Sequence, residues 1–405
     1  MNLCRHPKVT IFRYLLIIGL VIAAIPWMVD AATATINLGQ LNQTLRGFGG
    51  ASVWLGQLTD ANMDTLFGSG AGTIGLTIDR VRIAPDGNWN DELQNAKKVI
   101  ARGGIVMATP WTPPASMKTN NNVVGGSLKS TEFANYANYL QSFVNFMSSN
   151  GVSLYAISIQ NEPDIQVTYE SCDWTAPQML TFARNNAGAI STRVIMCESF
   201  HFDKAYTDPI LNDSVARPNV DIIGGHIYGG GLADYPLARN NGKEVWMTEH
   251  LNTDTSITGI IQTAKEMVDC MAIGNYNAYI WWYLKRFYGP IDDNGNRTKR
   301  GCVMAQFARW IRPGYVRVGA TYNPSTNVYV CAFKSGNLVR IVTVNTGTSA
   351  VTQTFSITGG TVPATFQRYR TSASEDLATL GTINTSGGSL TASLPGQSIT
   401  SFVSQ

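Results

Sequence analysis

The sequence predicts an α/β fold: a (β/α)8 barrel with a β-sandwich module packed against its side. Eight short apolar runs recur with helix-like stretches between them, at 45–51, 80–84, 105–111, 154–161, 193–199, 222–228, 244–250 and 278–284. Each is nearly continuous in β-branched, aliphatic or aromatic residues, as parallel strands covered on both faces are. After Pro313 the texture changes to alternation, as in Val328-Tyr-Val-Cys-Ala-Phe333 and Val339-Arg-Ile-Val-Thr-Val344, broken by Gly, Asn and Ser turns. That pattern reads as an antiparallel module.

The elements follow in order. Arg5, Lys8 and Arg13 precede an apolar run at 15–29, which ends at the small-x-small site Val29-Asp-Ala31. The run falls short of the roughly 18 residues of a membrane span. Residues 1–31 therefore read as a signal peptide, and the mature protein is expected to be secreted, extracellular and free of the membrane. Residues 32–46 are strand-like and are expected to pair with the C-terminal module. Residues 47–313 form the barrel, with helices including 60–67, 132–149, 257–272 and 299–312, the last ended by Pro313-Gly314. Residues 314–405 form the module. No linker separates them, so the parts should pack together, and a monomer is expected.

Composition narrows the function. Of 405 residues only 14% are charged, while aromatics reach 10% and Trp alone numbers 9. A typical soluble domain is about 25% charged. Such a chain is not disordered, because disordered chains are charge-rich and poor in aromatics. The formal charge is +3. Removing 1–31 takes three basic residues and Asp30, leaving 27 basic against 26 acidic. With no basic run beyond Lys299-Arg300, nucleic acid is excluded as a partner. A near-neutral, Asn- and Trp-rich surface suits a polysaccharide held by hydrogen bonds and ring faces.

Several motifs lack their context. Gly70-Ala-Gly-Thr-Ile-Gly75 lies between a helix and a strand, whereas a dinucleotide loop follows a strand and opens a helix. No cofactor is expected. His201, His226 and His250 sit at or just past strand ends, where they read as polar groups of a site. A zinc set is the alternative reading, and no metal is the expectation. Sequons stand at Asn42, Asn212, Asn296 and Asn384. Cys4 leaves with the signal, so Cys172, Cys197, Cys270, Cys302 and Cys331 remain. That odd number leaves at least one unpaired. Cys172 and Cys197 are candidate neighbours, and Cys302 and Cys331 straddle the junction, but only geometry decides a disulfide.

In a barrel of this kind the chemistry sits at the C-terminal strand ends. The fourth predicted strand ends Ile159-Gln-Asn161-Glu162-Pro-Asp164 and the seventh ends Trp246-Met-Thr-Glu249. Each puts a glutamate directly after a buried apolar run, where desolvating a carboxylate costs several kcal/mol unless it is paired. Strands 4 and 7 face each other across the mouth. Two opposed carboxylates are what retaining glycoside hydrolysis uses, one as nucleophile and one as acid and then base. The competing structural reading makes one glutamate a salt-bridge partner of Arg80 or Arg82.

Gly47-Phe-Gly-Gly50, Trp111-Thr-Pro-Pro-Ala-Ser-Met-Lys118, Ile159-Gln-Asn-Glu-Pro-Asp164, His226-Ile-Tyr-Gly229, Trp246-Met-Thr-Glu249 and Trp281-Trp-Tyr283 together resemble glycoside hydrolase family 30, most closely its bacterial xylanase subfamily. The resemblance runs from about residue 35 to 405 and implies the same barrel-plus-module layout. It implies Glu162 as acid/base and Glu249 as nucleophile, with Asn161 on the sugar 2-hydroxyl and Tyr228 orienting Glu249. Arg82 would be the charge partner of Glu249. Trp111 and Trp282 fall where the subfamily stacks sugar rings, and Trp54 is a third candidate. Neighbouring strand residues point to opposite sides, so only one of Trp281 and Trp282 can face the site; Trp282 is the expectation.

The implied partner is xylan. Branch-dependent members of the subfamily recognise a methylglucuronic acid carboxylate after strand 8, where this chain has Arg286 and Tyr288. A guanidinium can contact a carboxylate bidentately. Two segments depart from those members. The loop His250-Leu-Asn-Thr-Asp-Thr-Ser256 is short, lacks aromatics and carries Asp254, and Tyr169-Glu-Ser-Cys172 follows strand 4. A less selective xylanase, a β-glucanase or glucosylceramidase-like member, and a non-catalytic sugar-binding protein remain as alternatives.

Overall fold

The computed structural model describes Met1 and residues 32–405. The expected signal peptide lies outside the described residues, as does Cys4. Strand β1 (Ala34–Thr44) is followed by eight parallel strands: β2 (Gly47–Ala51), β3 (Ile78–Arg82), β4 (Ile105–Thr109), β5 (Ala156–Ser158), β6 (Arg193–Ser199), β7 (Ile222–His226), β8 (Glu244–Glu249) and β9 (Ala278–Tyr283). They close in sequence order, β2 to β9, into a barrel. Between and after them run α1 (Asp60–Phe67), α2 (Asn90–Ala101), α3 (Phe133–Ser149), α4 (Ala176–Asn185), α5 (Asp208–Asn212), α6 (Pro236–Asn240), α7 (Ile257–Ala272) and α8 (Lys299–Ala308).

All eight predicted runs overlap a barrel strand, although β3 begins two residues before its run, and most strands stop short of the run's end. The fourth run covers 154–161, yet only Ala156–Ser158 is in the ladder. Apolar character reports burial, and burial continues past the last hydrogen bond into the mouth. Helix α8 likewise ends at Ala308, four residues before the predicted end at 312, and a turn carries the chain to Pro313.

Inside the barrel, Ile78, Met107, Ala156, Ile195, Ile222, Trp246, Ala278 and Ile280 form a buried layer. It plugs the lower part, as barrel interiors are plugged, so the mouth is a floor rather than a pore. The Gly-rich first strand is steric in origin. A Cβ on Gly49 would lie 2.2 Å from the Ile78 carbonyl oxygen.

Strands β10 (Val316–Ala320), β11 (Val328–Ser335), β12 (Leu338–Asn345), β13 (Val351–Thr358), β14 (Thr365–Thr371), β15 (Ala378–Asn384), β16 (Ser389–Leu394) and β17 (Ser398–Ser404) build the side module. With β1 they form one nine-stranded sheet ordered β15-β14-β17-β12-β11-β10-β1-β13-β16. Its own core includes Ile36, Val330, Ile341, Phe355 and Phe402. Both chain ends therefore contribute, as the sequence predicts. The pairing differs in one place from a purely antiparallel module: β1 runs parallel to β13. More than 300 residues separate these two strands, so no hairpin dictates their direction.

The module is welded to the barrel. Cys331, Phe333, Val342, Val344 and Ile399 belong to the main core cluster. Gln43 Nε2 donates to the carbonyls of Met271 (2.8 Å) and Tyr276 (3.1 Å), and Arg317 Nε donates to Gln43 Oε1 (2.8 Å). All five described cysteines are buried free thiols, so neither candidate pair forms a disulfide. Among the described residues, no helix is long and apolar enough to cross a membrane.

Candidate active site

Glu162 and Glu249 meet at the barrel mouth. After β5 the chain leaves the ladder. The Asn161 amide donates to the Pro110 carbonyl (2.9 Å) and the Glu162 amide to the Glu198 carbonyl (3.0 Å). Glu162 takes φ +44°, which turns its side chain into the mouth. Glu249 is the last residue of β8. One carboxylate oxygen of each glutamate and one ring nitrogen of His226 all lie within 4.8 Å of one another. Both carboxylates are buried.

The counter-charge comes from Arg80, not Arg82. Arg80 is fully buried, with Nη1 2.5 Å from Glu249 Oε2 and Nη2 3.1 Å from Glu198 Oε1. Nη2 also donates to Asn161 Oδ1 (2.6 Å) and Nε to Thr109 Oγ1 (3.3 Å). Arg82, two residues nearer the rim, pairs instead with Glu170, its Nε donating at 2.9 Å. The reach of each side chain decides this. Arg80 starts deep enough for its guanidinium to end at carboxylate level, whereas the Arg82 guanidinium ends above it.

Glu198, on β6, completes the cluster. It is fully buried, accepts from Thr109 Oγ1 (3.0 Å) and lies 3.8 Å from His226 Nε2. Burial opposes its ionisation, but Arg80 and His226 outweigh it and hold its carboxyl down at about 2. His226 Nδ1 is 2.8 Å from Glu162 Oε1. Burial opposes charge on that ring too, but Glu249, Glu162 and Glu198 together raise it to about 9. The Tyr228 hydroxyl donates to Glu249 Oε1 at 2.8 Å. Burial pushes the Glu249 carboxyl up, and His226, Arg80 and this hydroxyl oppose the rise.

A cavity of about 590 Å³ opens above the carboxylates. Trp54, Trp111 and Trp282 form one wall, with ring centroids 5.0–6.3 Å apart. Trp281 is buried in the core, and Trp282 is the member of the pair that lines the cavity. Tyr169, Phe200, Tyr228, Leu251 and Tyr283 complete the lining. Arg286 and Tyr288 do not line it. Arg286 stands one ring back, exposed, its guanidinium carbon 5.1 Å from the Tyr283 centroid, and makes no ion pair among the described residues. Asp254 does not face the cavity either: its carboxylate accepts from the Ser256 amide (2.8 Å) at the start of α7.

The three histidines do not converge. His250 Nδ1 lies 2.8 Å from Glu266 Oε2, and His201 contacts the Tyr228 carbonyl. Among the described residues, Glu162, His226 and Glu249 are the one cluster with metal-donor chemistry. Its donors are already engaged by one another, by Tyr228 and by Arg80, and a buried guanidinium in contact opposes a cation.

Sequence reasoning missed Glu198, Tyr169, Phe200 and Leu251. Glu198 had a readable signal, as the one acidic residue in the apolar run 193–199. Tyr169 carried none beyond its place in a loop after the acid.

Two further buried carboxylates lie beside the site. Asp79 accepts from the Ser52 amide (3.2 Å) and hydroxyl (3.1 Å), and burial pushes it up to about 7. Burial and then Asp79 push Glu92 up to about 8. An acid whose folded value is raised contributes stability that is fully present below its unfolded value and is lost as pH rises through the folded value. His226 acts in the same direction, its contribution being lost as pH rises from 6.5 through about 9. The thermal midpoint should therefore fall from pH 5 to pH 9, and fall less in Asp79→Asn. A midpoint flat across that range would contradict these assignments.

Residues 86–243 match the glycosyl hydrolase family 30 TIM-barrel domain. Glucuronoxylanase XynC of Bacillus subtilis is 40% identical over 390 residues, 92% of each chain. The chain belongs to glycosyl hydrolase family 30. Two solved family 30 structures share its whole described fold. The subfamily 8 xylanase Xyn30A of Clostridium acetobutylicum is 47% identical, with TM-score 0.88 over 92% of this chain and 99% of its own. A family 30 endoxylanase of Clostridium papyrosolvens is 43% identical, with TM-score 0.86 over 92% and 100%. This family 30 member is thus a glycoside hydrolase, on the barrel-plus-module architecture read from its sequence.

Proposed function

We propose that the protein is a secreted, retaining endo-β-1,4-xylanase that cleaves the main chain of glucuronoxylan and reads its (methyl)glucuronic acid branches. The pair of opposed carboxylates carries the reading. Retaining hydrolysis uses carboxyl groups about 5–5.5 Å apart, and inversion uses about 6.5–9.5 Å. An approach within 4.8 Å, oxygen to nitrogen or oxygen, supports the retaining class.

In the first step Glu249 attacks the anomeric carbon while Glu162 gives its proton to the glycosidic oxygen, and the bond to the leaving sugar breaks. In the second, Glu162 takes a proton from water, the water oxygen attacks the same carbon, and Glu249 is released. Arg80 and Tyr228 occupy one oxygen each of Glu249, which aims the carboxylate and supports its charge. Asn161, held by Arg80 and next to Glu162 in the chain, is the proposed partner of the 2-hydroxyl. Trp54, Trp111 and Trp282 offer ring faces to sugar C–H surfaces.

Branch reading rests on Arg286, an exposed guanidinium against the Tyr283 ring beside the cleft, with Tyr288 two residues on. Arg286→Ala should cost about 1.5–3 kcal/mol of transition-state stabilisation on glucuronoxylan, the worth of a charged hydrogen bond, and little on arabinoxylan. Equal wild-type rates on the two polymers would sink branch reading. A less selective xylanase is the second reading. It is favoured because Arg286 and Tyr288 stand outside the cavity lining, and because the loop after β8 supplies Leu251 where an aromatic or hydroxyl group would be needed.

A further inference from the structure

The segment after β5 is anchored and places one ring beside the acid. Glu170 is paired with Arg82. The Ser171 amide donates to the Val123 carbonyl (3.0 Å), and the Ser171 hydroxyl accepts from the Gly125 amide (2.9 Å). Buried Lys118 donates from Nζ to the Ser171 carbonyl and to Thr112 Oγ1. Tyr169, just before these anchors, is 46% exposed and lines the cavity, with its hydroxyl 3.4 Å from Glu162 Oε2.

The two oxygens of Glu162 are therefore not equivalent. His226 Nδ1 already occupies Oε1. The proton handed to the leaving sugar must travel from Oε2, and a group that reaches Oε2 is a neighbour of the leaving oxygen. We infer that Tyr169 forms a wall of the subsite for the leaving sugar and positions the working oxygen of Glu162. This rests on the roles proposed above for Glu162 and Glu249. A phenol suits both tasks. Its ring face packs against sugar C–H groups, and its hydroxyl donates to the carboxylate once the proton has left. The four anchors on residues 170–171 hold the segment that carries the ring, so less ordering is left for substrate binding to supply.

The test varies the leaving group alone. A branched xylo-oligosaccharide is offered once with xylose as leaving group and once with 4-nitrophenol, which departs without protonation and makes no sugar contacts. Tyr169→Ala should lower kcat/KM on the order of tenfold or more for xylose, and about twofold at most for nitrophenol. Tyr169→Phe is the second variant: a loss confined to Ala assigns the ring, and a loss shared by Phe assigns the hydroxyl. Equal losses on both leaving groups, or none on either, would overturn the assignment. Wild-type protein that splits neither compound would overturn the xylan reading, and this assignment with it.

Discussion

Glu249→Gly should lose hydrolysis on the order of 10⁴–10⁶-fold, the scale seen when the nucleophile of a concerted catalytic group is removed. The fold should survive, because Arg80 retains Glu198 as a buried counter-ion at 3.1 Å. Azide gives the sharper readout. In Glu249→Gly a small anion can enter the vacated space and attack the anomeric carbon once, giving an α-glycosyl azide from a β-linked substrate. In Glu162→Gly the covalent intermediate still forms with an activated leaving group, and azide then replaces water in the second step to give the β-azide. Opposite azide anomers from the two variants would assign the two roles. The same anomer from both, or rescue of neither, would count against Glu249 as nucleophile.

Arg80→Met should destabilise the protein by about 3–5 kcal/mol, since removing one partner leaves buried charges uncompensated. Here two carboxylates, on Glu249 and Glu198, would lose the same cation. Arg82→Met should cost about 1 kcal/mol or less, because Arg82 and Glu170 are 17% and 20% exposed and their pair is screened by solvent. Urea unfolding midpoints of the two variants separate these cases. Equal shifts would mean that Arg80 is not the keystone of the cluster. Activity should also fall steeply in Arg80→Met, as Asn161 loses its charged donor and Glu249 one of its two.

This contrast between two arginines shows where the sequence stops being legible. Arg80 and Arg82 are two apart on one strand, so alternation puts both on the same face. Periodicity cannot say which reaches the carboxylates. Depth along the barrel decides, and depth follows from stagger between strands far apart in sequence. Glu198 was only half legible for a related reason. As the one acid in an apolar run it stands out, but nothing local shows that β6 points it at His226 and Arg80. Glu162 and Glu249 were legible because each follows directly on a buried run, at a strand end where a lone carboxylate has no structural use.

The sequence by itself determined the barrel, the side module built from both chain ends, and the two facing glutamates. Continuous against alternating apolar patterns are local consequences of burial on two faces or one, and they need no contact map to read. Only the tertiary structure decided which cation serves Glu249, which indole of the Trp281-Trp282 pair meets the cavity, and that Tyr169 reaches the acid while Arg286 stands one ring away. Those are differences of a few ångströms between residues distant in the chain, set by strand stagger and loop anchoring, and no local pattern encodes them.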